Sequence, residues 1–191
     1  YEHLPRTPDR PADYELYRYP VPPGLPGRSV VSGYDLDLPD DKQRRGISLR
    51  HVGHGGIDLP QVRGTPVHVV TLEHQEGDAD VLFAGEVFGR SVLLRQRLRQ
   101  GAGDLREYVT LFGHLESTAP GLVRGMTVHE GDVIGAVGDS GSPGLVHLHF
   151  EIRRVRDGLD AETVLKDKGP GALFSSASSV PVDPRNLLPF R

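Results

Sequence analysis

The 191-residue chain contains no cysteine, which excludes a disulfide framework and any thiolate metal site. A metal ion, if one is used, must be held by nitrogen and oxygen. No stretch approaches the roughly 18 consecutive apolar residues of a membrane-spanning helix, and no signal peptide is visible. Long basic runs are missing too, and the formal net charge is -4. A protein that grips a nucleic-acid backbone needs concentrated positive charge, so nucleic acid is not an expected partner. Lysine is scarce, occurring only at positions 42, 166 and 168, and arginine supplies nearly all the positive charge. No function attaches to that bias. Apolar residues make up only 37% of the chain, whereas 24 glycines and 16 prolines mark many turns, favouring a β-rich body over a helical bundle. The sequence begins at Tyr1 rather than Met and reads as a processed or trimmed product.

One domain with a sizeable core fits this length. Residues 1–29, rich in proline and tyrosine and without a sustained period, read as an extended N-terminal arm or linker. Residues 30–160 read as the main domain, and residues 161–191 as a C-terminal loop and tail packed on it. Within the domain, strands are expected at 66–71, 80–83, 91–95, 108–111, 133–137 and 146–153, separated by glycine-marked turns. The stretch RSVLLRQRLRQ has a helix-like composition, but its branched start and flanking glycines favour a strand running into a loop. The expected fold class is mainly β, with an antiparallel sheet core flanked by loops and the arm.

The segment GLVHLHFEIR places His147, His149 and Glu151 on one face of a strand, opposite Leu148, Phe150 and Ile152. One face reads as core and the other as a site. Upstream, His54 and Asp58 flank Gly-Gly-Ile, a flexible pair that lets the two side chains converge. Imidazole nitrogen and carboxylate oxygen are good zinc ligands, and a catalytic zinc site needs about three of them plus an open position. His54, Asp58 and either His147 or His149 supply that set. His114, placed after Gly113 where a strand gives way to a rim, and the remaining member of the pair are available for proton transfer and oxyanion stabilisation.

Together HGGIDL, RGTPV, LFGHLE and HLHFEI, in this order, resemble the signature of the LytM/lysostaphin-like zinc metallopeptidases of the M23 family. VLFAGEVFGRSVLLRQ is similar to the strand pair after the first motif, VRGMTVHEGDVIGAVGDSGSPGLVHLHF to the glycine-rich approach to the last, and VDPRNLLP to the usual ending. The resemblance spans residues 46–190. It implies a single zinc ion, Zn2+, held by His54, Asp58 and His149 in a shallow groove, with His114 and His147 as catalytic histidines. It further implies a zinc endopeptidase of peptidoglycan peptides, located in the periplasm or secreted, and monomeric by default. Alternatives are a glycyl endopeptidase acting on another protein, a wall-binding or regulatory module with little turnover, and a zinc-stabilised β-domain without a reaction. The chain departs from the family pattern before the first motif, with SGYDLDLPDDKQRRGISLRHVG in place of a short Gly-Phe segment, and RQRLRQ replaces a histidine often found after the middle strand.

Of the other positions, His51, His68, His74 and His129 read as ordinary polar residues. Asp139 and Ser140 are expected to shape the loop before the last strand. Tyr108 suits either the core or a groove wall, and Glu151 either orients an imidazole or pairs with Arg153. Tyr14, Tyr17 or Tyr19 packed across the groove would make the chain latent.

Overall fold

The computed structural model describes residues 4, 6–36 and 53–191. His51 and the DLPDDKQRRG stretch lie outside the described residues. Among the described residues the strands are β1 (Ile57–Pro60), β2 (Pro66–His68), β3 (Ala79–Glu86), β4 (Arg90–Arg99), β5 (Leu105–Gly113), β6 (Leu115–Thr118), β7 (Thr127–Val128), β8 (Val133–Val137), β9 (His147–Val155) and β10 (Ser179–Val182), with one α-helix, α1 (Ala161–Lys168), and short 3-10 turns. A large sheet runs in the order β1-β9-β5-β4-β3-β7, with β10 also on β9, and a smaller one in the order β2-β8-β6. Every strand pair is antiparallel. The fold is mainly β, as the composition predicts.

Leu148, Phe150 and Ile152 of β9 enter a core shared with Ile57, Phe112, Leu115, Ile134 and Val137, drawn from both sheets. The opposite face of the large sheet is covered as well. There, Val164 and Leu165 of α1 pack on Leu82, Leu93, Val109 and Leu111. Asp160 caps α1, its carboxylate accepting from the Thr163 amide at 2.8 Å.

Sequence expectations change at two strands, and the one expected at 66–71 ends at His68. The strand begun at Ser91 does not give way to a loop after Arg95 but continues to Arg99. Arg95 and Arg97 point outward to Asp80 of β3, at 2.9 and 3.3 Å, while Leu94, Gln96 and Leu98 are buried. Gln96 is accepted there because its amide is bonded, to the Val70 carbonyl at 3.0 Å and by the Thr110 hydroxyl at 2.5 Å. The arm's tyrosines anchor it to the body. Tyr17 is fully buried with its ring 5.3 Å from Phe190, and Tyr19 joins the same core. Tyr14 accepts from the Tyr34 amide at 3.0 Å and lies under the Arg185 guanidinium.

One edge of β9 pairs with β5 over residues 149–154, whereas the other is shared, with β1 on residues 147–150 and β10 on residues 152–155. Residues 31–35 run along the far side of β1 through bridges Ser32↔Asp58 and Asp35↔His54. Among the described residues no helix is long and apolar enough to cross a membrane.

Candidate metal centre

The register of β1 on β9 sets Asp58 directly opposite His149, and β5 sets Gly113 on the other side of His149. His54 reaches the same place from the turn before β1. That turn passes so close to β9 that a Cβ on Gly56 would stand 2.4 Å from the Phe150 carbonyl oxygen, and one on Gly55 2.9 Å from Glu151 Oε1. Only glycine permits that approach. The His54 backbone is held by reciprocal hydrogen bonds with Asp35, at 2.6 and 3.0 Å.

Three donor atoms meet here. His54 Nε2 lies 3.2 Å from Asp58 Oδ1 and 3.3 Å from His149 Nδ1, and the last two are 2.9 Å apart. Each imidazole is oriented through its other nitrogen. His54 Nδ1 donates to the Gly33 carbonyl at 2.8 Å, and His149 Nε2 faces Glu151 Oε2 at 3.2 Å. With those protons committed, two nitrogen lone pairs and a carboxylate oxygen point at one another. Positive charge, whether a proton or a metal ion, stabilises such an arrangement. Burial would push His149 down, but its bonds to Asp58 and Glu151 outweigh burial and hold the imidazole at about 9. Burial also opposes ionisation of Asp58, and the bonds from His149 and His54 hold its carboxyl far below the usual range. The donor set of the cluster can coordinate a metal ion.

The remaining two imidazoles stand beside this cluster. The His114 and His147 ring centroids are 4.8 Å apart, and His114 is 6.0 Å from His149. His114 sits in the left-handed region at φ 60, just past β5, and its amide donates to the Phe88 carbonyl at 2.9 Å. Its Nδ1 donates to the Ser140 carbonyl at 2.7 Å, so Nε2 carries the lone pair. Burial pushes this imidazole down, against a smaller raising effect of the Ser140 bond. His147 Nδ1 likewise donates to the Leu145 carbonyl at 2.7 Å, and its Nε2 lies 3.6 Å from Asp58 Oδ1. All five residues singled out in the sequence, His54, Asp58, His114, His147 and His149, are thus brought together.

Asp139 and Ser140 shape their loop: Asp139 accepts from the Gly144 amide at 3.0 Å and pairs with Arg63, while the Ser140 hydroxyl donates to the Leu115 carbonyl at 2.8 Å. Tyr108 is core, fully buried. Glu151 does both things expected of it, facing His149 and accepting from Arg153 Nη1 at 2.5 Å. His68 donates to the Gly131 carbonyl, His74 occupies a left-handed turn, and His129 pairs with Asp78 and Asp132. Sequence reasoning missed the Gly33 and Ser140 carbonyls that orient His54 and His114, because a backbone acceptor leaves no mark in a sequence. It also missed Phe88, whose ring stacks on His149 at 5.7 Å.

The sequence model of peptidase family M23 matches residues 52–161, more than half of the chain. Among solved structures, the chain is similar to a zinc-containing peptidase from Vibrio cholerae, with 24% identity and a TM-score of 0.49 over 72% of this chain and 36% of that one. It is similar to Helicobacter pylori Csd3 at 23% identity and a TM-score of 0.47, over 73% of this chain and 30% of the other. The catalytic domain of lysostaphin from Staphylococcus simulans is 20% identical with a TM-score of 0.45, over 75% of this chain and 96% of that domain. The chain spans about a third of the length of the Vibrio and Helicobacter proteins. No curated protein matches it significantly.

Proposed function

The chain belongs to peptidase family M23, and from that membership we propose that it is a zinc-dependent endopeptidase hydrolysing peptide bonds in the stems or cross-links of bacterial peptidoglycan, outside the cytoplasm. The observation that carries the reading is the convergence of His54 Nε2, Asp58 Oδ1 and His149 Nδ1 beside two imidazoles whose Nδ1 protons are already committed. Ligand lengths of about 2.0–2.2 Å in a tetrahedral zinc site separate neighbouring donors by roughly 3.3–3.5 Å. The 3.2 and 3.3 Å separations from His54 Nε2 fit that frame, and the 2.9 Å contact of Asp58 with His149 needs only a small opening. The substrate class and compartment come from the family resemblance.

His54, Asp58 and His149 would hold the ion. When bound, zinc supplies Lewis acidity, lowering the pKa of water and polarising the scissile carbonyl. His114 is kept neutral by burial, so its Nε2 takes the proton of the attacking water. His147, the second imidazole, would serve the oxyanion that develops on the substrate only as the imidazolium, donating from Nε2 while Nδ1 stays on the Leu145 carbonyl. Return of the proton from His114 to the leaving amine completes the cleavage.

The test is zinc content of the purified chain together with release of soluble peptides from purified peptidoglycan, set against His114→Ala. Zinc in both proteins, with release reduced at least ~100-fold in the variant, is the expected result. Release that survives in His114→Ala, or that is unaffected by stripping the zinc, would overturn the reading.

A further inference from the structure

Behind His149 lie two charges that the mechanism leaves without a task. Glu151 and Arg153 follow His149 at alternate positions of β9 and project from its face, and both are buried. A buried ion pair is a weak source of stability, because desolvation offsets much of its Coulomb attraction. Every nitrogen of this guanidinium and both oxygens of this carboxylate nevertheless have a hydrogen-bond partner. Arg153 Nε donates to Ser179 Oγ at 2.6 Å, and Nη2 donates to the Ser179 and Phe174 carbonyls at 3.2 and 3.3 Å. Its remaining arm, Nη1, donates to Glu151 Oε1, and the other oxygen of that carboxylate faces His149 Nε2. A continuous chain of bonds therefore runs from the C-terminal segment to the metal cluster. Ser179 and Phe174 lie beyond residues 52–161, the part matched by the family model.

We propose that Glu151, clamped by Arg153 and through it by residues 174–179, is a positioning residue for the metal. Its carboxylate accepts the Nε2 proton of His149, which fixes the tautomer whose Nδ1 lone pair faces the centre and makes that nitrogen a stronger donor. Arg153 aims the carboxylate, and the tail keeps Arg153 in place. The inference rests on the reading of His149 as a zinc ligand. A packing role alone would need neither the charge nor the bond to His149.

Zinc affinity of the full-length chain, measured by competition with a chromophoric chelator, separates the two roles. The variants are Glu151→Gln and the double variant Glu151→Gln/Arg153→Met, with unfolding midpoints of the metal-free proteins followed in parallel. Glu151→Gln is expected to bind zinc roughly 10–100-fold more weakly than the parent chain. The double variant is expected to regain thermal stability, since no buried charge is left unpaired, yet to remain as weak for zinc. Should Glu151→Gln fail to fold, the double variant carries the comparison. Equal zinc affinity in parent and variant, or affinity that recovers along with stability in the double variant, would overturn the inference. A parent chain that takes up no zinc overturns the metal reading itself, a separate result.

Discussion

The chemistry of each imidazole is decided by what its second nitrogen touches. His54 and His114 each give Nδ1 to a backbone carbonyl, so each keeps Nε2 for another task. For His114 that task depends on the neutral form, which burial favours. A histidine with a lowered pKa stays deprotonated until the pH falls below its ordinary value of about 6.5. At saturating zinc, peptide release should therefore hold its plateau through neutral pH and decline with a midpoint below about 6.5, measured as kcat/KM from pH 4.5 to 8. A midpoint above that value would remove His114 as the proton acceptor. The residue types of the site were legible in the sequence because imidazole and carboxylate at these positions have few other uses. The Gly33 and Ser140 carbonyls were not, since every residue carries that group and only folding selects two of them.

At the scale of elements, β1 and β9 do most of the positioning. Their register pairs Asp58 with His149 and Ile57 with Phe150, so one antiparallel contact builds both the core and the cluster. A slip of one residue would send the histidines into the core face. Gly56→Ala tests this coupling, because its methyl group would stand against the Phe150 carbonyl. It is expected to cost roughly 1–3 kcal/mol in denaturant unfolding, in the range of overpacked sites, and to lower zinc uptake as well. Unchanged stability and uptake would mean that the turn has room that the geometry denies. The alternation along β9 was readable, and so was β8, whose five residues match the expected span. The four-residue β1 was not read as a strand, because so short a segment carries too little periodicity and its identity comes from its partner. The extent of β4 was missed for a related reason: its arginines look like loop residues until Asp80 is placed opposite them.

At the scale of the molecule, both ends of the chain close on the body. Arg10 stacks on Phe190, Tyr17 packs beside that ring, and Arg191 Nε donates to the Tyr17 carbonyl at 3.0 Å. The arm is thus part of the structure that supports residues 31–35, whose Gly33 orients His54. Tyr17→Ala should destabilise the chain by about 3–5 kcal/mol, as for other buried aromatic truncations, seen as a lowered unfolding midpoint. It should not raise peptide release, as loss of an inhibitory cover would. Increased release with intact stability would instead support a latent enzyme.

The sequence by itself determined the nature of the chemistry. With no cysteine, nine histidines and the ordered motifs from HGGIDL to HLHFEI, only a nitrogen and oxygen centre was open, and alternation in HLHFEIR fixed which side chains share a face. Tertiary structure decided what those side chains are connected to. Which carbonyl orients each imidazole, where Glu151 sends its second oxygen, and how Phe174 and Ser179 come to stand behind the cluster depend on contacts between residues far apart in the chain. Local patterning records the direction in which a side chain points, whereas its partner is chosen only when the strands pair and the ends of the chain close over them.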